Sequence, residues 1–543
     1  MPRESGVRRF GAALIVAFVG LGVGAAPVLL GPPGGDDAYY HAMYALEQAR
    51  CWRGGVPFPS WYPDLNAGLG GPEPRARPQL SLALGAAFAL LLDDAVTATS
   101  LATALIPAVA GLVMFAIARR RGRRLREALL LGVVWSSVPY LLVTLHERAA
   151  LQEAWAVALL PWVMDSLLPP APATRSQVLG GAVGFGVILA TQLLVGYMVG
   201  LIVIAAHALS RSRRPAALAG TLALGLGLAA WSWLPAVLGL RRVQAGVFST
   251  GWSDWRQRFL FSATDPAPAL NHHMVLVAMA ALAAAAVLIT MPGRPRALAA
   301  GAVAAVLLAT PLARPVWEAL PGFALLQFPW RWLGLASILV VVALADGKFG
   351  RGSSIAGALL ILPMVLALTS APRLDPGLPL RPSDSPSQAA LAATRYGVPP
   401  ILPSSPPMLP RGVDLGEALR AAPAARQELP VPNSSGPRTW SWQLDRKTSG
   451  LLMLPLLADD GWRVRVDAVL VPWHPTQGLV SVAVAAGHHT VTAVQVALPE
   501  SLAGAGISVV ALVAWLWLWR GKADTAARSA GHGNEPRWPP PLV

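Results

Sequence analysis

Apolar residues run in long uninterrupted blocks along this chain rather than at amphipathic spacing. Residues 10–30, 95–118, 216–240 and 502–519 contain no charged side chain, and a helix of roughly 18–25 such residues crosses about 30 Å of hydrocarbon. No soluble fold needs so many blocks of this kind. The pattern predicts an all-α polytopic membrane protein with about 12 transmembrane helices. The first block follows Arg3, Arg8 and Arg9. It is too long for the apolar core of a signal peptide and lacks a cleavage site, so it reads as an uncleaved signal anchor.

The period changes near the C-terminus. Residues 372–437 are rich in Pro and Ser, a composition that resists regular helix and central strand and reads as an extracytoplasmic linker. From 438 to 499 the alternation becomes strand-like in TWSWQLDR, WRVRVDAVLV, LVSVAVAAG and HTVTAVQVAL, which predicts a small extracytoplasmic β-sandwich. A last helix over 501–519 and a cytoplasmic tail over 520–543 follow. The transmembrane domain proper is expected over 1–371, with its first extracytoplasmic loop at 31–94.

Composition agrees: 54% of residues are hydrophobic and 13% charged. The net charge of +15 invites a nucleic-acid reading, but the basic residues gather in short tracts beside apolar blocks, where they act as topology signals. No nucleic-acid partner is expected. The densest tract is Arg119, Arg120, Arg121, Arg123, Arg124 and Arg126, and it belongs in the cytoplasm with the N-terminus. Residues 78–92 then have to be a short re-entrant or juxtamembrane helix on the outer side. Arg175, then Arg211, Arg213 and Arg214, then Arg294 and Arg296, then Lys348 and Arg351, then Arg520 and Lys522 all fall inside, provided residues 178–209 form two short helices broken near 192–196. Cys51, alone in the sequence, has no partner for an internal disulfide and says nothing of redox compartment.

Chemistry concentrates in the outer loops. Asp37 and His41 are four apart and share one face of a helix, where the carboxylate can serve as general base and the imidazole can touch a phosphate; a merely solvated acidic loop is the competing reading. The turn His146, Glu147, Arg148, Gln152, Glu153 puts ionisable groups at a helix mouth, where charge is costly unless paired or used. Arg148 there is either a phosphate ligand or half of a structural pair with Glu153. Arg331, between Trp330 and Trp332, is an interfacial anchor or a second phosphate ligand. His272 and His273 are adjacent, which makes a poor metal pair on a helix. No HExxH, Walker A, GxSxG or CxxC pattern occurs.

Taken in order, GDDAYYH at 35–41, GVPFPSWYPD at 55–64, ERAALQEAWAVALLP at 147–161 and QFPWRWL at 327–333 resemble the bacterial 6-pyruvoyl-tetrahydropterin synthase-related membrane proteins, a label that does not describe chemistry. ADDGWRVRVDAVLVP at 458–472 and AAGHHTVTAV at 485–494 resemble the end of YfhO-type membrane proteins. Both groups are similar to GT-C glycosyltransferases. That resemblance implies a polyprenyl-phosphate-linked sugar as donor, a location in the bacterial plasma membrane, and an extracytoplasmic glycan, lipid or protein acceptor; the charge pattern above puts both termini in the cytoplasm. The resemblance implies Asp37 or its neighbour Asp36 as the catalytic carboxylate and Arg148 and Arg331 as phosphate ligands; the loop chemistry read above adds His41, Glu147 and Glu153 as expected substrate contacts. No metal ligand set is recognised, and a divalent cation as cofactor stays open. The rival expectation is a non-enzymatic transporter or cell-envelope assembly factor, for which Asp165 is the main candidate acid.

Overall fold

The computed structural model describes residues 6–31, 37–168, 174–209, 215–244, 246, 249–347, 357, 409–430, 432 and 434–531. Asp36, the basic residues Arg211, Arg213, Arg214, Lys348 and Arg351, the Pro-rich stretch up to 408 and the end of the tail lie outside these. The chain is a mostly helical, multi-pass membrane protein. Among the described residues six helices are long and apolar enough to span: Gly6–Gly24 (α1), Ala95–Arg120, Leu125–Glu147, Pro268–Leu288, Pro329–Asp346 and Pro499–Arg520. Two bent pairs raise this to eight. The larger number read from the sequence also counts Leu151–Leu167, Arg175–Thr191 and Leu193–Leu209, each of 17 residues, or about 25 Å at 1.5 Å per residue.

Small residues let these helices approach closely. A Cβ on Gly20 would lie 2.4 Å from Ala108 Cα, and one on Gly132 would lie 2.9 Å from the Gly111 carbonyl oxygen. Helix α1, Ala95–Arg120 and Leu125–Ser136 therefore meet almost backbone to backbone, the packing that membrane helices use when burial of apolar surface no longer drives association.

The helix break expected between 178 and 209 falls at Gln192, whose φ of −153° and ψ of 103° end Arg175–Thr191 before Leu193–Leu209 begins. A second break was not expected. Residues 216–240 read as one continuous span, whereas Pro215–Leu228 and Ala230–Arg242 meet at 78°. Ser508 of the last helix explains the bend: its hydroxyl accepts from Trp231 N at 2.9 Å and donates to Gly227 O at 3.0 Å. A side chain thus replaces the helix hydrogen bonds lost at the kink.

Near the C-terminus lie two antiparallel sheets, ordered β1-β2-β8-β4-β5 and β3-β7-β6. Their strands are β1 (Ser434–Ser435), β2 (Thr439–Arg446), β3 (Gly450–Leu457), β4 (Trp462–Val466), β5 (Val469–Val471), β6 (His474–Thr476), β7 (Leu479–Val484) and β8 (Gly487–Gln495). The alternation in TWSWQLDR is realised, since Trp440, Trp442 and Leu444 point into one apolar core shared by both sheets.

The linker expected over 372–437 needs correction. Residues Leu415–Glu428 form a helix, which we label α2, started by the Asp414 carboxylate accepting from Glu417 N at 3.0 Å. It buries Leu415, Ala418, Ala421, Ala422 and Ala425 in the β-domain core. That core also takes Trp61 and Leu69 from the first loop. The domain therefore does not begin at 438 but draws on three separate parts of the chain.

Candidate functional site

The first loop presents Asp37 at the mouth of the helical body. Asp37 immediately precedes the helix Ala38–Arg53, and its carbonyl accepts from His41 N at 3.1 Å, so the four-residue spacing is helical as expected. Its own N–H donates to the Arg148 carbonyl at 3.2 Å. Two more hydrogen bonds fasten the same turn beneath the loop: Leu151 N donates to His41 Nε2 at 3.1 Å, and Gln152 Nε2 donates to Pro78 O at 2.9 Å. The Asp37 carboxylate itself makes no hydrogen bond or ion pair with a described residue.

The turn beneath Asp37 is strained. Val143–Glu147 is a π-helical turn and Ala149 has φ of 53°, features that recur at functional sites because the surroundings must hold them. Glu153 follows in the helix Leu151–Leu167 and is buried. Arg148 Nη1 lies 3.1 Å from its Oε2, Arg331 Nε donates to the same oxygen at 3.0 Å, and the Tyr140 hydroxyl donates to Oε1. Arg331 also donates to the Leu326 carbonyl, and to Gln327 Oε1 at 3.3 Å. It is 8% exposed, so it is no snorkelling anchor. Glu153 is an arginine clamp.

Phe328 is the floor of this cluster. The guanidiniums of Arg148, Arg258 and Arg331 lie 5.4, 5.4 and 4.8 Å from its ring centroid, and the ring stacks on Trp330 at 5.0 Å. Arg258 pairs with Asp265 at 2.7 Å, both fully buried. Among the described residues, the three guanidiniums of this buried cluster outnumber its two buried carboxylates, Glu153 and Asp265, by one, with Asp37 the next acid above it. A site of that kind suits an anion.

The other expected contacts fare differently. His41 is 4% exposed and its Nε2 already accepts from Leu151 N, so it pins the loop as a neutral imidazole and does not meet a phosphate through that nitrogen. Burial pushes its pKa down to about 4, with Asp37 opposing the shift and Arg77 adding to it. The unfolded chain therefore binds the extra proton between about 6.5 and 4. Stability from this residue is fully present above 6.5 and lost as pH falls through 4, by up to about 3 kcal/mol. Thermal unfolding in detergent at pH 7.5 and 4.5 should show this loss in the wild type and much less of it in His41→Gln.

Glu147 does not face the arginines but binds His273, with Oε2 and Nδ1 2.7 Å apart. The motif residue Asp64 is structural. Arg50 bridges it at 2.5 Å to the helix bearing Glu47, whose Oε2 accepts from Asp64 N at 3.0 Å. Burial, with Asp64 beside it, raises the Glu47 pKa well above the usual carboxylate range.

The sequence reading missed Arg77, Arg258, Asp265 and Tyr140. For Arg77 a signal existed, since PEPRARPQL sets two arginines between prolines in the first outer loop. Among the described residues no three His, Cys, Asp or Glu side chains gather as a metal site.

A family model described as the 6-pyruvoyl-tetrahydropterin synthase related domain of a membrane protein matches residues 78–375. The match includes Arg148, Glu153, Arg258 and Arg331 but not Asp37. No curated protein matches the chain. Among solved structures, the arabinofuranosyltransferase AftD from Mycobacteria aligns at 18% identity over 90% of this chain and 40% of its own, with a TM-score of 0.43. The Archaeoglobus fulgidus oligosaccharyltransferase tethered with an acceptor peptide aligns at 12% over 76% and 57%, with a TM-score of 0.39. ArnT from Cupriavidus metallidurans bound to undecaprenyl phosphate aligns at 16% over 66% and 77%, with a TM-score of 0.30. The chain thus spans about two fifths of the length of AftD.

Proposed function

Because the chain belongs to the 6-pyruvoyl-tetrahydropterin synthase related family of membrane proteins, whose label names no reaction, its activity has to be read from the site, and we propose that it is a GT-C-like sugar transferase. The donor is a polyprenyl-phosphate sugar and the acceptor an extracytoplasmic glycan, lipid or protein. Asp37 takes the proton of the acceptor hydroxyl. The acceptor oxygen then forms a bond to the anomeric carbon as the bond from that carbon to the phosphate oxygen breaks, with inversion. Such a leaving group needs its charge neutralised more than it needs a proton, and the arginine cluster supplies that. One observation carries the reading: Asp37, whose carboxylate has no hydrogen-bond or ion-pair partner among the described residues, hangs by its N–H from the Arg148 carbonyl, above a buried cluster whose described guanidiniums outnumber its carboxylates.

Incubating the purified protein with a panel of radiolabelled polyprenyl-phosphate sugars and envelope extracts tests it. Label should move from one donor to an acceptor; no movement from any donor contradicts it.

The rival reading, a transporter or assembly factor, draws on the Arg148, Glu153 and Arg331 set as a pure helix lock. Its candidate acid, Asp165, is already held by Arg120 and Arg121 at 2.7 Å each. Arg121 continues to Asp346 at 2.5 Å, and Asp346 to Arg294 at 2.8 Å. This chain of ion pairs ties four helix ends together, which suits a fixed scaffold better than alternating access. In the proposed topology about 12 spans place both termini in the cytoplasm of a bacterial cell. Reporters fused after Arg124 and after Lys522 should read cytoplasmic, and those at Asp64 and Gly436 external. An external signal after Arg124 would put Leu80–Leu92 across the membrane and Asp37 out of place.

A further inference from the structure

Arg77 differs from the other arginines of its loop. Arg50, Arg53 and Arg75 each bind a carboxylate. Arg77 makes no hydrogen bond or ion pair with a described residue, and its Nε is buried without a partner. Its guanidinium lies 5.1 Å from the centroid of the Tyr44 ring, and the Asp37 and Glu73 carboxylates favour its charged form from beyond ion-pair distance. A partly buried guanidinium that no described carboxylate reaches at ion-pair distance keeps donors open, and an anion bound against it can take them.

The position of Arg77 is set from the far end of the chain. Two residues earlier, Arg75 grips Asp459 fork to fork, with both N to O distances 2.7 Å and both side chains buried. Asp459 sits in the β domain, where it also accepts from Gly461 N at 2.9 Å and Gln495 Nε2 at 3.1 Å. Trp61, under the Arg75 guanidinium, packs edge-on against Trp462 at 5.4 Å, and Leu457 N donates to Leu69 O at 2.9 Å. On the other side of Arg77, Pro78 is bound by Gln152. The residue is thus stretched between the β domain and the helix that carries Glu153.

We propose that Arg77 binds a phosphate group beside Asp37, and that the β domain holds it there through the Asp459–Arg75 pair. Asp459 is a positioning residue. The anion site follows from the unpaired guanidinium; the identity of its ligand as a polyprenyl phosphate rests on the functional reading above. A lipid phosphate and a free phosphate share the chemistry.

The test titrates undecaprenyl phosphate into the full-length protein in detergent, with inorganic phosphate as competitor. Arg77→Gln should weaken binding by roughly 10- to 100-fold, the size of lost charge-assisted hydrogen bonds, and Arg77→Lys should restore part of it. Asp459→Asn should weaken binding by a smaller factor and add nothing in the Arg77→Gln background, as expected of two residues acting through one group. If that variant does not fold, Arg75→Lys, which keeps the charge and loses the fork, takes its place. Displacement by inorganic phosphate would identify a free-phosphate site and its failure a lipid-phosphate site; both support the anion site.

Wild-type affinity in Arg77→Gln, or no binding of either phosphate by the wild type, overturns it. Full additivity of Asp459→Asn with Arg77→Gln overturns the positioning role. Should Asp37→Asn retain sugar transfer while Arg77→Gln loses phosphate, the base assignment fails and the phosphate site stands.

Discussion

Glu153→Gln is expected to destabilise the protein by about 3–5 kcal/mol, because it removes the charge that two buried guanidiniums share. The amide keeps the shape of the carboxylate but leaves Arg148 and Arg331 facing each other without a counter-charge, where one carboxylate oxygen now lies 3.0–3.1 Å from both. Tyr140→Phe removes a single hydrogen bond to the same carboxylate and should cost only about 1–2 kcal/mol. Thermal melting in detergent distinguishes the two. If Glu153→Gln melts with the wild type, the arginines are compensated elsewhere, and the surplus positive charge ascribed to this site is not there.

Asp37→Asn is expected to lower sugar transfer by roughly 100- to 10,000-fold, the usual loss when a general base is removed. Asparagine keeps the size of the side chain and leaves the backbone tie to Arg148 untouched, so protein yield and donor binding should survive. That separation matters, since a structural role predicts loss of both. Arg148→Ala should instead weaken donor binding. Asp36 lies outside the described residues, and Asp36→Asn is expected to do less. Transfer at the wild-type rate in both aspartate variants would remove the catalytic carboxylate from the first loop.

Local features of this molecule were legible in its sequence. The helical spacing of Asp37 and His41, the short helix at Leu80–Leu92, the break at Gln192 and the strands from Thr439 onward each follow from period, length or a turn residue nearby. What escaped was non-local. Arg75 and Asp459 are 384 positions apart, and no local period signals such a pair. The bend after Leu228 depends on Ser508, and Trp61 counts as β-domain core only once the chain is folded. The helix at Leu415–Glu428 was missed for another reason. The Pro-rich composition around it masked the Asp414 to Glu417 cap at its start. For Arg148 and Glu153 the sequence left two readings open, and geometry joins them: the two side chains are paired, yet with Arg331 the cluster keeps a net positive charge.

Polyprenyl phosphate released when purified protein is mixed with a polyprenyl-phosphate sugar and acceptor, quantified by mass spectrometry, tests the role of Asp37 most directly. The wild type should release the lipid phosphate in step with glycosylated acceptor, and Asp37→Asn, folded and still binding donor, should release almost none. Equal release from both proteins, or none from the wild type with any donor in the panel, would contradict the assignment of Asp37 as the base of a sugar transferase.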